Sequence, residues 1–489
     1  MEKELLTRKE NYLVNARLFF DGLVLDNIPC KVYLPERIYG KPWLVINPSS
    51  EDYYKLMQAH VSSIYAEVVG FSGEVELIIK SDELYFHESS IRYGGKSLSE
   101  SLVYCSPEGL DIFEPFKGGV SETVLVSYWL TPNSFITPVR VLYSHPDGAV
   151  YYKVFREVEY EIDDLFYSFK SQYDSKTEDN DDFVQWAYLV AEHKTSESHY
   201  NYEKIIKDNV SSLDDFLLLV SFASRHKTFC TGWEASDVNG IYKHYRGNYN
   251  FSKLIKNEST EYVVEPSEFP GFIRVAAKSF LDYRNKLSLR SAINSVLNVR
   301  ESTVEKSFLS MFSALETLIL DFRKDNDFEY VLNREDWSKL RGVIQDAIKR
   351  APGLNLEKPK RAKIYTKLNE LNRVSLKDAY EYFCVYYSID TEDLWPVFGK
   401  SDFSGLSEVR NRLVHGDTFS KELDDALINA QFHMGILLER VILRVLNWDV
   451  SSSNVSRANM KIYDPDILEF LKPGQAIKQY FSKKDGGLL

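Results

Sequence analysis

The chain contains little cysteine and no long apolar run, and each absence excludes particular classes of protein. Only four cysteines occur among 489 residues, and no two of them form a C-x-x-C pair. Scattered thiols of this kind suit a reducing compartment and argue against a disulfide framework and a structural zinc site. No run of about 18 apolar residues is present, and the first residues lack the apolar core of a signal peptide. We therefore expect a cytoplasmic protein with no membrane span, metal site or cofactor.

The front half also lacks the short motifs that mark common hydrolases and nucleotide-binding proteins. It has no G-x-S-x-G elbow, no H-E-x-x-H zinc motif and no phosphate-binding loop. A hydrolase site in this region is therefore not indicated. If the protein is an enzyme, we expect its chemistry in the back half.

Negative charge is concentrated at the front of the chain. The formal net charge is −13, but residues 1–270 hold 26 basic against 42 acidic residues, whereas residues 271–489 hold 33 against 30. Within the back part, residues 339–377 carry eleven basic and three acidic side chains. This stretch suits phosphate contacts with RNA, although a solvated helix face explains the same charges equally well. The candidate RNA-binding residues are Lys358, Lys360, Arg361, Lys363, Lys367 and Arg412.

Strand-like segments predict a β-rich N-terminal domain, sandwich or barrel-like, over residues 1–170. They are rich in Val, Ile, Tyr and Phe with partial period-2 alternation. The acidic, polar residues 173–182 read as a loop, and a mixed α/β intermediate region follows over 183–270. It contains an aromatic stretch whose side chains suit either base stacking or ordinary hairpin packing. These side chains are Tyr242, His244, Tyr245, Arg246 and Tyr249.

From residue 272 onward the apolar period changes to about 3.6, which predicts an all-α bundle over residues 272–450. Two strong apolar stripes, over residues 308–322 and 423–445, mark its main helices. Residues 451–489 read as a linker and C-terminal tail. The predicted fold class is therefore multidomain α+β, with a β-rich region followed by a helical bundle.

The strongest chemical signal in the bundle is the spacing Arg410-x4-His415. An apolar stripe predicts a helix here, and Gly416 predicts that the helix ends directly after His415. In an ideal helix the two side chains lie roughly 140° apart. The imidazole therefore has to turn at the helix end to reach the cleft that Arg410 faces.

These residue types suit the cleavage of a phosphodiester without a metal. An imidazole with a pKa near about 6.5 can take a proton from a ribose 2′-hydroxyl or give one to the leaving 5′-oxygen. The guanidinium of Arg410 can hold two phosphate oxygens. Asn411 can bind phosphate or orient the histidine. The spacing alone is also common by chance on helices, so it does not establish a site.

Glu316 interrupts the apolar stripe of residues 308–322. At about 100° per residue it is flanked by apolar residues on both sides, so its carboxylate should be paired. Arg410 falls within the apolar sector of its own helix and needs a partner for the same reason. We hypothesise an ion pair between Glu316 and Arg410 that orients the guanidinium. The alternative is that Glu316 extends to solvent.

The phrase Arg-Asn-x-x-x-His at the end of a C-terminal helix resembles the signature of the HEPN superfamily, an all-α fold found in many prokaryotic ribonucleases. Residues 410–416, RNRLVHG, together with residues 308–318, FLSMFSALETL, resemble more narrowly the ApeA-like HEPN group. The resemblance covers roughly residues 272–450. Members of that group carry a long N-terminal region before the HEPN domain and include bacterial proteins that defend against phage.

This resemblance implies a metal-independent endoribonuclease, with Arg410, Asn411 and His415 matching the motif one for one. It also implies a homodimer in which two motifs face each other in one composite cleft. The expected partners are single-stranded or tRNA-like RNA, a second copy of the chain and a phage-derived trigger sensed by the N-terminal region. Such a toxin-like activity needs control, which the acidic front could supply by covering a basic cleft. The alternative is a non-catalytic HEPN protein that only dimerises or binds RNA as a scaffold.

Overall fold

The computed structural model divides the chain into two compact units, Met1–Thr260 and Glu261–Leu489. It describes residues 12–20, 23–35, 41–58, 64–72, 75–94, 97–116, 123–144, 150–156, 158–162, 165–177, 183–195, 202–238, 240–246, 261–284, 286–299, 302–351, 357–417, 419–463 and 469–486. The predicted order of a β-rich region followed by a helical region is confirmed.

The first unit is built mainly from antiparallel strands. They are β1 (Tyr12–Phe20), β2 (Leu23–Tyr33), β3 (Trp43–Ile46), β4 (Ile64–Ser72), β5 (Val75–Gly94), β6 (Ser97–Pro107), β7 (Gly109–Pro115), β8 (Val124–Leu130), β9 (Val139–Ser144), β10 (Val150–Arg156), β11 (Val158–Ile162), β12 (Leu165–Thr177), β13 (Phe183–Thr195), β14 (Cys230–Asp237) and β15 (Gly240–Arg246). Two helices accompany them, α1 (Ser50–Gln58) and α2 (Tyr202–Ser224). All strands except β9 and β10, which pair with each other, belong to one large sheet.

Six strands of that sheet close into a ring in the order β5, β4, β1, β2, β3, β6 and back to β5. The 20-residue β5 makes closure possible, because its first half pairs with β4 while its second half pairs with β6. Side chains along β1 alternate as a strand requires, with Val14, Ala16 and Leu18 buried and Leu13 exposed. The inward residues form one apolar core, so the barrel-like expectation describes this part of the unit.

The remaining strands extend the sheet across the predicted boundary between a first domain and an intermediate region. β13 pairs with β12 on one side and with β8 on the other, and β14 pairs with β8. Within the predicted mixed α/β region, β13, β14 and β15 therefore belong to the large sheet of the first unit, and α2 lies between β13 and β14 in the chain. Tyr173 to Thr177, predicted as part of a loop, are instead part of β12, and residues 178–182 of that predicted loop lie outside the described residues.

The aromatic stretch of β14 and β15 packs within its own hairpin and against neighbouring elements of the first unit. Trp233 stacks on His244 with ring centroids 4.0 Å apart, and the His244 imidazole contacts the Asp111 carboxylate at 2.6 Å. Tyr245 packs against Trp129, and Arg246 makes a two-pronged ion pair with Asp214. The hairpin-packing alternative thus accounts for these residues, while Tyr249 lies outside the described residues.

The second unit is helical. Its helices are α3 (Phe269–Leu281), α4 (Leu287–Leu297), α5 (Val304–Asp325), α6 (Arg334–Arg350), α7 (Lys358–Leu368), α8 (Leu376–Tyr386), α9 (Leu406–Val414), α10 (Asp424–Val445), α11 (Arg457–Tyr463) and α12 (Leu471–Gly486). The predicted stripes are confirmed as the buried faces of α5 and α10. Side-chain caps start several of these helices, as Thr303 does for α5 by accepting a hydrogen bond from the Lys306 amide.

The central helix and the C-terminal residues both belong to the core of this unit. The segment Lys421–Val445 is long and apolar enough to cross a membrane, but 72% of its most apolar window is buried within the protein. Such burial is typical of a core helix. Within the predicted linker and C-terminal tail, α12 packs against α10 and buries Ile477 and Phe481.

Candidate functional site

Helix α9 is fixed at its beginning by a close backbone contact. The Glu408 carboxylate accepts hydrogen bonds from the backbone amides of Gly405 at 2.7 Å and Gly399 at 3.2 Å. A Cβ at Gly405 would lie 2.3 Å from the Gly399 nitrogen, so only glycine fits there. Leu406 and Val409 are completely buried and hold the helix in the bundle. These contacts fix the direction in which α9 presents its polar residues.

The end of α9 confirms the predicted stop after His415. Gly416 has a φ of +80°, in the left-handed region that favours glycine. Its amide donates to the Leu413 carbonyl at 3.1 Å, and the Asp417 amide donates to the Arg412 carbonyl at 3.0 Å. This pair of bonds defines a Schellman cap. His415 is therefore the C-cap residue that directly follows the last helical residue, Val414, at the point where the chain turns away.

The hypothesised ion pair between Arg410 and Glu316 is confirmed. Arg410 Nη2 lies 3.1 Å from Glu316 Oε2, and the two side chains remain 32% and 22% exposed. Arg410 Nη1 also donates to the Asn411 side-chain oxygen at 3.1 Å. The guanidinium is thus held by two side-chain acceptors while a third of its side chain stays open to solvent. Such an arginine is oriented and still accessible to an anion.

The ring of Phe312 also contacts the Arg410 guanidinium. The sequence pattern did not predict this contact. The Arg410 guanidinium carbon lies 5.9 Å from the centre of the Phe312 ring, within range of a cation–π interaction. Phe312 was predicted only as a core residue, and it is buried. The available signal was its position four residues before Glu316, which places both on one face of α5.

His415 is exposed at the helix end. Among the described residues, no side chain forms a hydrogen bond with its imidazole, so the ring can rotate toward a bound substrate. Val414, the last residue of the helix, is 56% exposed. An oriented guanidinium and its amide partner therefore lie in the last turns of α9, and an exposed imidazole follows at the helix end.

Arg412 is engaged in the structure of the unit. Its Nη1 lies 3.3 Å from Asp417 Oδ2, and its guanidinium carbon lies 4.6 Å from the centre of the Phe481 ring. These contacts tie the end of α9 to α12. Because these contacts occupy the Arg412 guanidinium, they weaken the expectation that this arginine binds RNA.

The other candidate RNA-binding residues lie together on α7. Lys358, Lys360, Lys363 and Lys367 are exposed, and Arg361 is half-buried. Helix α7 packs beside α6, where the Tyr365 hydroxyl donates to the Gln345 carbonyl at 3.4 Å. No residue of α6 is buried, and α7 buries only Leu368. The two helices therefore form a basic hairpin on the surface of the unit, hereafter the α6–α7 hairpin.

No three His, Cys, Asp or Glu side chains converge as metal ligands within the described parts of the chain. Comparisons with known proteins add no assignment. Neither a scan of protein-family models nor searches of curated proteins and solved structures found a match.

Proposed function

We propose that the helical unit is a metal-independent endoribonuclease of the HEPN type that cleaves RNA by attack of a ribose 2′-hydroxyl. The observation that carries this proposal is the Arg410–Glu316 ion pair, which holds a guanidinium beside Asn411 on the helix that His415 caps. The resemblance of residues 410–416 to the HEPN signature supports the same reaction.

The reaction needs one base, one acid and a cation. The 2′-oxygen attacks phosphorus and loses its proton to the base, while the bond from phosphorus to the 5′-oxygen breaks and that oxygen takes a proton from the acid. The products are a 2′,3′-cyclic phosphate and a 5′-hydroxyl. His415 serves as base or acid, and Arg410 binds the phosphate oxygens, on which negative charge increases in the transition state. Asn411 either binds phosphate or orients the histidine.

A second copy of the chain completes the site in this proposal, because a single His415 cannot act as base and acid in the same step. Two apolar side chains beside the ion pair are consistent with an interface there. Leu320 lies one turn from Glu316 and is 44% exposed, and Val414 lies one turn from Arg410 and is 56% exposed. Burial of these two side chains against a partner would bring both His415 residues into one cleft.

The HEPN resemblance also supports a role in anti-phage defence in the bacterial cytoplasm. Cleavage of cellular RNA is toxic, so the activity has to wait for infection. The first unit then serves as sensor or regulator of a phage-derived trigger. Single-stranded or tRNA-like RNA is the proposed substrate.

A non-catalytic scaffold is the second candidate, and the ion pair itself favours it. Arg410 is held by Glu316, Asn411 and Phe312. In this reading the only role of an arginine with three partners is structural, which is to hold α9 against α5. In that case the unit would dimerise or bind RNA without cleaving it.

One experiment separates the two candidates. The purified full chain is incubated with labelled single-stranded RNA and with tRNA in excess EDTA, beside the variants Arg410→Ala and His415→Ala. Arg457→Ala serves as the matched control, because Arg457 is an exposed arginine of the same unit that pairs with Glu392 at 2.7 Å. We expect cleavage by the parent and the control, with 2′,3′-cyclic phosphate ends, and a loss of at least about 100-fold in both site variants.

Two other results would reject the proposal. Equal cleavage by all four proteins would show that the motif is not the site. Tight RNA binding by the parent with no cleavage would favour the scaffold.

A further inference from the structure

An open cavity of about 610 Å³ lies at the base of the α6–α7 hairpin, formed by side chains outside the site described above. Its size is within the range of about 300–1,000 Å³ typical of small-molecule sites. At its floor, two short backbone segments, residues 329–331 and 372–374, pair with each other and are hereafter called the clasp. The Val331 amide donates to the Asn372 carbonyl at 2.8 Å, and the Val374 amide donates to the Glu329 carbonyl at 3.1 Å. The cavity therefore has a fixed frame.

Two arginines line this cavity and are available to an anion. Within the described residues, Arg334 has no ion pair and no side-chain hydrogen bond. Arg373 contacts Glu370 at 3.5 Å, but both side chains are about 60% exposed, and an exposed pair of this kind contributes little. A phosphate can therefore engage Arg334 directly and draw Arg373 away from its partner at small cost.

Two aromatic rings line the same cavity. Trp337 is half-buried and follows Arg334 by one turn of α6, and Tyr330 is 53% exposed on the opposite segment of the clasp. Accessible aromatic rings next to arginines that can engage a phosphate are the combination with which proteins bind unpaired bases. The Asn369 amide and the Asp327 carboxylate, also in the lining, supply the donor and acceptor groups that a base edge requires.

We propose that this cavity binds one nucleotide of a single-stranded RNA, with its base stacked on Trp337 or Tyr330 and its phosphate held by Arg334 and Arg373. This inference deepens the proposed function, on which it rests for the identity of the ligand. Helix α5 connects the two sites, because Glu316 lies nine residues before its last residue, Asp325, and Asp327 follows two residues later. Nine residues span about 14 Å of helix. That distance matches roughly four stacked nucleotides at ~3.4 Å each. The cavity then anchors the strand that Arg410 and His415 cleave.

The test measures binding separately from cleavage. All proteins carry His415→Ala, so that the RNA stays intact, and each is the full chain. Fluorescence anisotropy with a labelled 12-nucleotide RNA gives the affinity at several salt concentrations for Arg334→Gln, Trp337→Leu and the parent. Arg350→Gln is the matched control, because Arg350 is an exposed arginine in the last turn of the same helix and does not line the cavity.

Each variant has its own expected signature. Loss of one phosphate contact should lower the slope of log affinity against log salt by about 0.7 in Arg334→Gln. Loss of a stacking ring should weaken binding about tenfold in Trp337→Leu without changing that slope. Arg350→Gln should bind with the affinity of the parent. Circular dichroism of each variant checks that α6 is intact.

The outcomes distinguish the two proposals. If the cavity variants bind RNA as tightly as Arg350→Gln, or if the parent does not bind RNA, the cavity proposal is overturned. If they bind weakly as expected but the protein with His415 restored cleaves no RNA, the cavity proposal stands and the ribonuclease proposal falls. Competition by nucleoside monophosphates identifies the source of the nucleotide. A monophosphate that binds as tightly as the 12-mer would overturn the RNA strand as ligand.

Discussion

At the scale of single residues, Glu316 is proposed as a positioning residue for Arg410. The variant Glu316→Gln keeps the shape but removes the charge that holds the guanidinium 3.1 Å away. We expect cleavage to fall about tenfold, because an arginine displaced by about 1 Å aligns poorly with the phosphate. The loss should appear in kcat more than in KM, which steady-state cleavage assays measure.

The control for this prediction is Glu305→Gln, which removes an exposed carboxylate from the first turn of the same helix. It should leave kcat unchanged. If Glu316→Gln lowered only the melting temperature and left kcat at the parent value, the ion pair would be structural and Glu316 would have no part in the reaction.

Gly416 caps the helix directly after His415, and we expect this cap to position the His415 imidazole. A Cβ at this position would meet nothing within 4 Å, so any effect of substitution comes from the backbone φ of +80°. We expect Gly416→Ala to destabilise the helix end by about 1 kcal/mol and Gly416→Asn by less, since asparagine tolerates this conformation better. In assays at equal enzyme concentration, cleavage should fall more for Gly416→Ala than for Gly416→Asn. Equal activity of both variants and the parent would show that the cap does not position His415.

The sequence identified the paired residues because each was a charge in an apolar stripe. Glu316 and Arg410 both break the pattern of their helices, so mutual pairing followed from the cost of burying an unpaired charge. Arg412 was different. Its partners Asp417 and Phe481 lie in a turn and in a distant helix, and nothing in the local pattern indicates that they meet.

At the scale of elements, one buried ion pair fixes the core helix α10 to the loop that follows α8. Arg440 and Asp393 form two hydrogen bonds, at 2.7 and 2.8 Å, with side chains only 1% and 4% exposed. Arg440 also donates to the carbonyls of Val455 and Asp390. Substitution by Met would leave the Asp393 carboxylate unpaired in the core, which costs about 3–5 kcal/mol. Chemical denaturation should show this loss for Arg440→Met and little change for Arg457→Met at the exposed pair with Glu392.

The same pair predicts a dependence of stability on acid. Burial opposes ionisation of Asp393, but the hydrogen bonds and charge of Arg440 outweigh it and lower the pKa of this carboxyl. A carboxyl with a lowered pKa stabilises the fold above its unfolded pKa of about 3.9, and this contribution is lost as the pH falls through the folded pKa. The stability advantage of the parent over Asp393→Asn should therefore shrink below about pH 4. Denaturant titrations between pH 7 and 3 measure it, and a constant difference would contradict the argument.

Helices were predictable from the sequence where strand pairing was not. The apolar stripes of α5 and α10 repeat within one segment, so each predicts which face of its helix is buried. The closure of β5 against β6 depends on pairs such as Phe86 with Cys105, and no local pattern specifies that register. For the same reason the sequence indicated individual strands but not that β12, β13 and β8 are neighbours in one sheet.

At the scale of the whole molecule, the two units differ in charge as well as in architecture. Met1–Thr260 carries 39 acidic against 26 basic residues, whereas Glu261–Leu489 carries 33 of each and is formally neutral. An acidic unit on the same chain repels RNA at long range and slows association at low salt. We expect the association rate with RNA to rise as salt increases from about 20 to 100 mM, and stopped-flow fluorescence would measure it. The opposite salt dependence would show that the local basic hairpin dominates the encounter.

The proposed composite cleft makes a quantitative prediction about mixtures of active and inactive chains. If both copies of Arg410 and His415 act in one cleft, a dimer with one inactive chain is inactive, so activity falls as the square of the active fraction. If each chain cleaves alone, activity falls in direct proportion. The parent is mixed with the doubly substituted Arg410→Ala, His415→Ala chain at constant total concentration, and subunit exchange is verified by affinity capture of a tag on one chain. At equal amounts we expect about one quarter of the activity of the parent alone. A value of about one half, with exchange complete, would show that the second copy contributes nothing to the chemistry.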